Sequence, residues 1–494
     1  MKKNKIIQFI VTGMFLFGAT ACTGNFEDYN KNPHEPDQND MGVDWYLVRS
    51  LALNLQDLMM PEQENFSQYV DCLMAGAFSG YVADSNLGTG WSGRYATYNP
   101  SDDWKKIPFN DFYSKFYPDY FNLKNQSDDE LFLSLAELYR IVVMLRVTDT
   151  YGPIPYSKFG TGIQVAYDSQ KDVYYRFFEE LENAIEVLTS YNSRTSEPYL
   201  EDYDYIYNGN VGNWIKFANT LRLRLAMRIS YVDQTKAETE AKAAIDHSIG
   251  LMTSVSDNAV LKQSVSFSFI NEWWEAYESF NDFRMSATMD CYLKGLQDPR
   301  LAAYFKVAKK DGEYHGVRNG QTSRSQGTLS EAASSMNVGQ ASSILWMDAA
   351  ETYFLLAEAK LRLNLGDKTV KEYYEEGVKT SFSSKGASGA ESYLDNDVNV
   401  PSISFIDPTN GRNTDVSRMV SNLTVKWDES VSDDKKLERI MVQKWIALFP
   451  DGQEAWSEMR RTGYPGIVTI NTNASGGEVA TGELISRLKF PTKE

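Results

Sequence analysis

Residues 131–156 read LFLSLAELYRIVVMLRVTDTYGPIPY. Leu131, Leu135, Leu138, Val142 and Leu145 recur at steps of four, three, four and three, which is the period of a helix with one apolar face. The run has to stop at Tyr151-Gly152-Pro153-Ile154-Pro155, because neither proline can continue a helix and Gly152 permits the turn. An apolar stripe needs a partner face. Val173, Phe177, Leu181, Ala184 and Leu188 supply one downstream, and Phe217, Leu221, Leu225 and Ile229 supply another. Ala349, Tyr353, Leu356 and Leu363 mark a further helix, and the last two are expected near Leu437–Leu448 and Glu454–Arg461. Such segments pack as antiparallel helix pairs, so the chain reads as mostly α.

Two of these pairs resemble each other. Ala136-Glu137-Leu138-Tyr139 opens one and Ala350-Glu351-Thr352-Tyr353 the other, and each is followed by a helix rich in Tyr and acid, at Tyr174-Tyr175 and Tyr373-Tyr374. The pattern points weakly to tetratricopeptide-like hairpins, since the usual repeat of about 34 residues is not kept. The hairpins are expected over about 110–250 and 345–465. Stretches rich in Gly, Ser, Asn and Asp interrupt them at about 80–111, 191–212, 306–343 and 385–434, and loops of that length usually carry function.

The composition narrows the function. The 494 residues carry Lys+Arg 49 against Asp+Glu 67, a net charge of −18, which argues against nucleic acid or an anionic membrane surface as partner. Three His (His34, His247, His315) and three Cys (Cys22, Cys72, Cys291) leave little for a zinc or Cys–His enzyme. Cys72 and Cys291 either pair in an oxidising compartment or are small buried residues. Tyr 30 exceeds Phe 25, which suits surfaces presenting an apolar face together with a polar tip.

At the N-terminus, Lys2, Lys3 and Lys5 precede an apolar run from Ile6 to Phe17, of signal-peptide length. Gly18-Ala19-Thr20-Ala21 then lead into Cys22. Small residues before a Cys resemble a bacterial lipobox, although Ala19 stands where Leu is usual, so 1–21 is expected to be removed and Cys22 lipidated. Simple secretion is the alternative. Residues 22–44 are polar and read as a flexible tether, with Glu27-Asp28 either an export signal or merely solvated. The folded domain is expected over 45–494.

Catalytic templates fail. There is no HExxH, no P-loop and no GxGxxG opening a helix, and Gly90-Trp91-Ser92-Gly93 lacks both a residue of the nucleophile elbow and a nearby His. Asp202, Asp204, Asn208 and Asn210 alternate in a loop that leaves calcium open, without the Gly of an EF-hand. No other cofactor is indicated. Aromatic loops are more telling. Trp91, Arg94 and Tyr95 sit among Gly88, Gly90 and Gly93, with Asn86 just before, and Trp273, Trp274 and Tyr277 sit beside Asn271 and Asn281. A flat ring stacks on the apolar face of a pyranose while amides and guanidinium groups bond its hydroxyls. These eight residues (Trp91, Arg94, Tyr95, Trp273, Trp274, Tyr277, Asn86, Asn281) form the expected ligand platform, with one of the two adjacent tryptophans open to a core role.

Several strings together resemble one family. Val147-Thr148-Asp149-Thr150-Tyr151-Gly152-Pro153-Ile154-Pro155-Tyr156 is similar to a segment of the SusD/RagB-like outer-membrane lipoproteins of Bacteroidetes. So are Tyr167-Asp168-Ser169-Gln170, Lys216–Arg224, Asp298-Pro299-Arg300-Leu301, Leu355–Lys360 and Gln443–Leu448, followed by Glu454-Ala455-Trp456 and Arg460–Pro465. The resemblance runs in order from Cys22 to about Gly466. It implies helical hairpins of tetratricopeptide type supporting an irregular, loop-rich ligand-binding half. It also implies a lipid-anchored protein on the outer face of the outer membrane, binding oligosaccharide, or peptide in some branches. Such a protein delivers its ligand to a SusC-like TonB-dependent transporter and performs no catalysis. A secreted hydrolase is the remaining, weaker alternative.

Overall fold

The computed structural model describes residues 46–59, 64–86, 94–264, 267–322 and 324–492. The chain divides into two units, residues 1–50 and 51–494, and apart from residues 46–50 of the first helix the elements below belong to the second. It is mostly α. The longer helices are α1 (Tyr46–Met59), α2 (Phe112–Gln126), α3 (Glu130–Tyr151), α4 (Gln170–Arg194), α5 (Val211–Ile229), α6 (Gln234–Ile245), α7 (Ala287–Gly295), α8 (Ala349–Leu363), α9 (Val370–Ser384), α10 (Asp433–Leu448) and α11 (Gly452–Thr462).

The helices begin where side chains cap them. Asp129, Ser169, Asn210, Asp348, Thr369, Ser432 and Asp451 each accept from backbone N–H groups of the first turn, which satisfies donors that lack an intrahelical partner. The α3 helix ends at Gly152, at φ 91°, as the Gly-Pro-Ile-Pro run requires. Its interior residues from Ile141 to Tyr151 are buried all round, so it is a central helix packed against α4. The α4 helix packs in turn on α5, α5 on α6, and α8 on both α9 and α10. In the α8–α9 hairpin a Cβ at Gly377 would meet the Phe354 ring at 2.8 Å, so glycine is what lets these two helices approach.

Strands are few and short: β1 (Val82–Asp84), β2 (Ala259–Leu261), β3 (Phe283–Met285), β4 (Ile344–Met347), β5 (Ser404–Ile406) and β6 (Asn413–Asp415). They form three antiparallel pairs, β1 with β3, β2 with β4 and β5 with β6. The first two pairs join segments distant in sequence and so shape the irregular half. That half also holds π-helical turns at Gln68–Ala75, Ile107–Asp111 and Glu275–Ser279.

The expected loops contain more structure than their composition suggests. Short helices occupy Asp102–Lys105, Gln326–Ala332 and Ala390–Leu394, and α4 runs on to Arg194 inside the expected 191–212 stretch. Among the described residues no helix is long and apolar enough to cross a membrane.

Candidate functional site

Pairing of β1 with β3 sets Asp84 opposite Phe283, and the chain beyond each strand continues alongside the other. Ser85 and Asn86 donate their backbone N–H groups to the Asp282 carbonyl at 2.8 and 3.4 Å. The Asn86 amide donates to Asp282 Oδ1 at 2.9 Å, and Ser85 Oγ to the Asn281 carbonyl at 2.7 Å. The two aromatic loops, 196 residues apart at this contact, are thereby brought to one place. Gln68 also donates to Asp282, whose carboxyl burial pushes above the usual range while these amide donors oppose it.

Several of the expected ligand residues turn inward. Arg94 is buried, with Nη1 on Asp84 Oδ2 at 3.0 Å and Nη2 donating to the Gln321 carbonyl at 3.1 Å. Burial raises Asp84 to about 7, and the Arg94 charge only partly counters it. Tyr95 is also buried. Its hydroxyl donates to the Trp104 carbonyl at 2.7 Å and its ring meets Phe78 edge-on at 5.9 Å. Tyr277 lies on a π-helical turn that directs its ring inward against Phe283, and its hydroxyl donates to the Val338 carbonyl at 2.9 Å. A solvent-facing platform made of Arg94, Tyr95 and Tyr277 is therefore corrected. Their polar tips bond backbone carbonyls and Asp84, and they organise the base of the loops. Asn281 is half-buried and accepts from Arg284 Nη2 at 2.6 Å and Ser330 Oγ at 3.2 Å. Trp91 and Cys22 lie outside the described residues.

The adjacent tryptophans separate as neighbours on a helical turn must. Trp274 is half-buried, whereas Trp273 is buried, edge-on to Phe283 at 5.4 Å, and lines a cleft. A Cβ at Gly76, just after the π-helical turn at 68–75, would come within 3.3 Å of the Trp273 ring, so the backbone is bare where the indole packs. Asn271 caps this turn, accepting from Trp273 N and Trp274 N at 3.1 and 3.2 Å, and its amide donates to the Ser342 carbonyl at 3.1 Å. One side chain thus joins the 271–277 turn to the loop before β4.

The cleft holds about 290 Å³ and takes Asn271, Trp273, Asn337, Ser342 and Trp346 into its lining. Trp346, on β4, was missed in the sequence. It packs on Phe217 at 5.4 Å, with the Arg224 guanidinium 5.4 Å from its ring. Both cations of the wall are paired, and the carboxylates of Glu272 and Asp451 also line it. Arg146 bonds Asp71, and Lys385 lies 3.6 Å from Asp348 and donates to the Phe449 carbonyl at 3.0 Å. Burial lowers the Lys385 pKa, and it raises Asp451 to about 6 against the influence of Arg224. The rest of the lining combines the Trp273 and Trp346 indoles, the Asn271 and Asn337 amides and the Ser342, Ser343 and Ser384 hydroxyls with apolar side chains such as Met336, Ile344 and Phe449.

The Asp202–Asn210 loop does not present its central carboxylate to a cation. Asp204 is buried and its two oxygens accept from five N–H groups, those of Ile206, Tyr207, Gly209, Gln56 and the Trp214 indole. Protons already fill the lone pairs that calcium would need. Among the described residues no group of three or more His, Cys, Asp or Glu is placed to hold a metal ion. Cys72 and Cys291 are separate buried thiols, not a disulfide, and burial raises the pKa of both.

Fold and site together define a helical protein whose irregular half holds an indole-lined cleft. The family profile described as "Susd and RagB outer membrane lipoprotein" matches residues 28–494, and the chain belongs to this SusD-like family. A SusD homologue from Bacteroides ovatus is 51% identical, with TM-score 0.84 over 91% of this chain and 92% of that one. A homologue from Bacteroides thetaiotaomicron is 38% identical, with TM-score 0.82 over 90% and 91%. A chitin-binding SusD homologue from Flavobacterium johnsoniae is 36% identical, with TM-score 0.85 over 90% and 92%. No curated protein sequence matches.

Proposed function

We propose that this protein captures oligosaccharide at the cell surface, held to the outer membrane by a lipid on Cys22, and delivers it to a SusC-like TonB-dependent transporter. It binds its ligand and does not cleave it. The observation that carries the reading is the cleft, where Trp273 and Trp346 stand among Asn271, Asn337 and Ser342 and both cations of the wall are held in ion pairs. Rings and neutral hydrogen-bonding groups suit a ligand with an apolar C–H face and many hydroxyls. The chitin-binding relative supports a glycan over a peptide. Trp274, Asn86 and Asn281 remain in the proposal as the outer part of the site, with Trp91 beyond Asn86 in the chain.

Calorimetric titration of the purified protein with a panel of chito-, gluco- and mannooligosaccharides and peptides tests this. A neutral oligosaccharide should bind with little dependence on salt. Trp346→Ala should weaken that binding about ten- to a hundredfold, corresponding to about 1–3 kcal/mol per stacked ring by analogy with base stacking. Binding confined to charged peptides, or glycan affinity unchanged in both Trp346→Ala and Trp274→Ala, would sink the reading.

A further inference from the structure

A second cavity opens on the helical half, between the C-terminal end of α5, the start of α4 and the end of α11, and holds about 590 Å³. That lies within the range of roughly 300–1,000 Å³ typical of small-ligand sites. Its chemistry differs from that of the cleft. Four cations line it: Lys171, Arg228, Arg460 and Arg461. Two of them are neutralised in place. Arg228 pairs with Asp149, Glu454 and Glu458, and Arg461 with Glu358 and Glu458. The carboxylates in the lining are also engaged, Asp149 by Arg228 and the Tyr174 hydroxyl, and Asp233 by the Tyr175 hydroxyl and the Lys236 backbone N–H.

The other two cations are different. Arg460 donates only to neutral oxygens, the carbonyls of Asp149, Ser486 and Trp456 and the hydroxyl of Ser457. These bonds use four of its five N–H groups and leave one on Nη2. Lys171, exposed at the rim, makes no ion pair among the described residues and stands 5.1 Å from the centroid of the Tyr175 ring. Neither is locked in a direct ion pair, although Asp233 acts on Lys171 and Asp149 on Arg460 through space, so both keep donors that an anionic ligand can take. Beside them Tyr231 has one face on the Arg362 guanidinium at 3.7 Å and is still 51% exposed. Cavity volume, an open aromatic ring and two cations outside direct ion pairs occur together here.

We propose that this cavity is a second saccharide site, selective for sugars carrying a carboxylate. A uronic acid would set its carboxylate on Arg460 and Lys171 and its ring against Tyr231. The site is independent of the neutral-glycan reading of the cleft.

Calorimetry on the full chain with digalacturonate, and with the neutral galactobiose as comparison, tests the assignment. Digalacturonate should bind saturably and about tenfold or more tighter than galactobiose, and weaken several-fold when salt is raised from about 50 to about 500 mM. Lys171→Gln and Tyr231→Ala should each weaken it about tenfold, with unchanged melting and unchanged binding of neutral glycan at the cleft. Arg460 is left in place in this test because it also holds the Asp149 and Ser486 carbonyls. Equal binding of acid and neutral sugar, no saturable binding, or digalacturonate affinity unchanged in both variants would overturn the proposal.

Discussion

Asp84 and Arg94 form a buried ion pair at the foot of the first aromatic loop, yet the Asp84 carboxyl is raised to about 7. Desolvation outweighs the single guanidinium, so the folded protein holds this proton more tightly than the unfolded chain, whose Asp titrates near 3.9. The group's stabilising contribution is full below about pH 4 and is lost as pH rises towards 7. Above that the carboxylate is ionised in both states and the slope vanishes. The span corresponds to a difference on the order of 4 kcal/mol. Melting curves of wild type and Asp84→Asn between pH 4.5 and 8 should therefore diverge, the wild type losing stability relative to the variant with rising pH. Parallel curves would mean that Arg94 keeps the carboxylate ionised throughout. The same residues show why the site was only partly legible. Glycines around Trp91 and Arg94 suggested exposure, but what buries Arg94 is Asp84 and the Gln321 carbonyl, and the latter is brought there by folding from 227 residues away. Trp346 was invisible for a related reason. It stands on a four-residue strand paired with β2, with no local period to mark it.

The helices α3, α4, α5, α8, α9, α10 and α11 were legible because an apolar or Tyr-rich pattern and a capping side chain mark them, whereas α1, α2, α6 and α7 were not read. The π-helical turns were not, since a single wide turn leaves no repeat to read. The acid-rich helices conceal another feature. Between α5, α8, α10 and α11, Glu351 accepts from Arg224 Nε at 2.9 Å with Lys444 at 3.6 Å, and Glu458 holds Lys444 at 2.8 Å, all with side chains nearly fully buried. Charges that sequence pattern assigns to a solvated face instead clamp four helices together. Removing one partner strands the others, so Glu351→Gln should cost about 3–5 kcal/mol. Adding Lys444→Met should return part of that loss, because one stranded cation is gone, and a double-mutant cycle by urea denaturation measures the coupling. A near-neutral Glu351→Gln would show that water reaches the cluster. Trp456, buried beside it with its indole donating to the Ile485 carbonyl at 2.9 Å, provides the apolar comparison. Trp456→Ala should cost a similar 3–5 kcal/mol through a cavity, and whatever remains folded should keep its ligand affinity.

Whole-molecule behaviour depends on where these surfaces are held. A chain of net charge −18 is repelled by anionic lipid headgroups, and among the described residues no helix can span a bilayer. The description of its family is that of an outer-membrane lipoprotein. The anchor read from the sequence and kept in the proposal is a lipid on Cys22, whose acyl chains each add about 0.8 kcal/mol per buried CH₂. In a strain lacking the proposed transporter, Cys22→Ala should therefore move from the membrane pellet to the soluble fraction, or remain as an uncleaved precursor of higher mass. Its glycan titration after purification should match the wild type, because the cleft is built from residues between Asp71 and Asp451, far along the chain from the anchor. Fractionation and calorimetry on the same preparation separate the two roles. Full-size processed protein still in the pellet without the transporter would refute the lipid anchor, and lost glycan affinity in the released form would show that the anchor region takes part in binding.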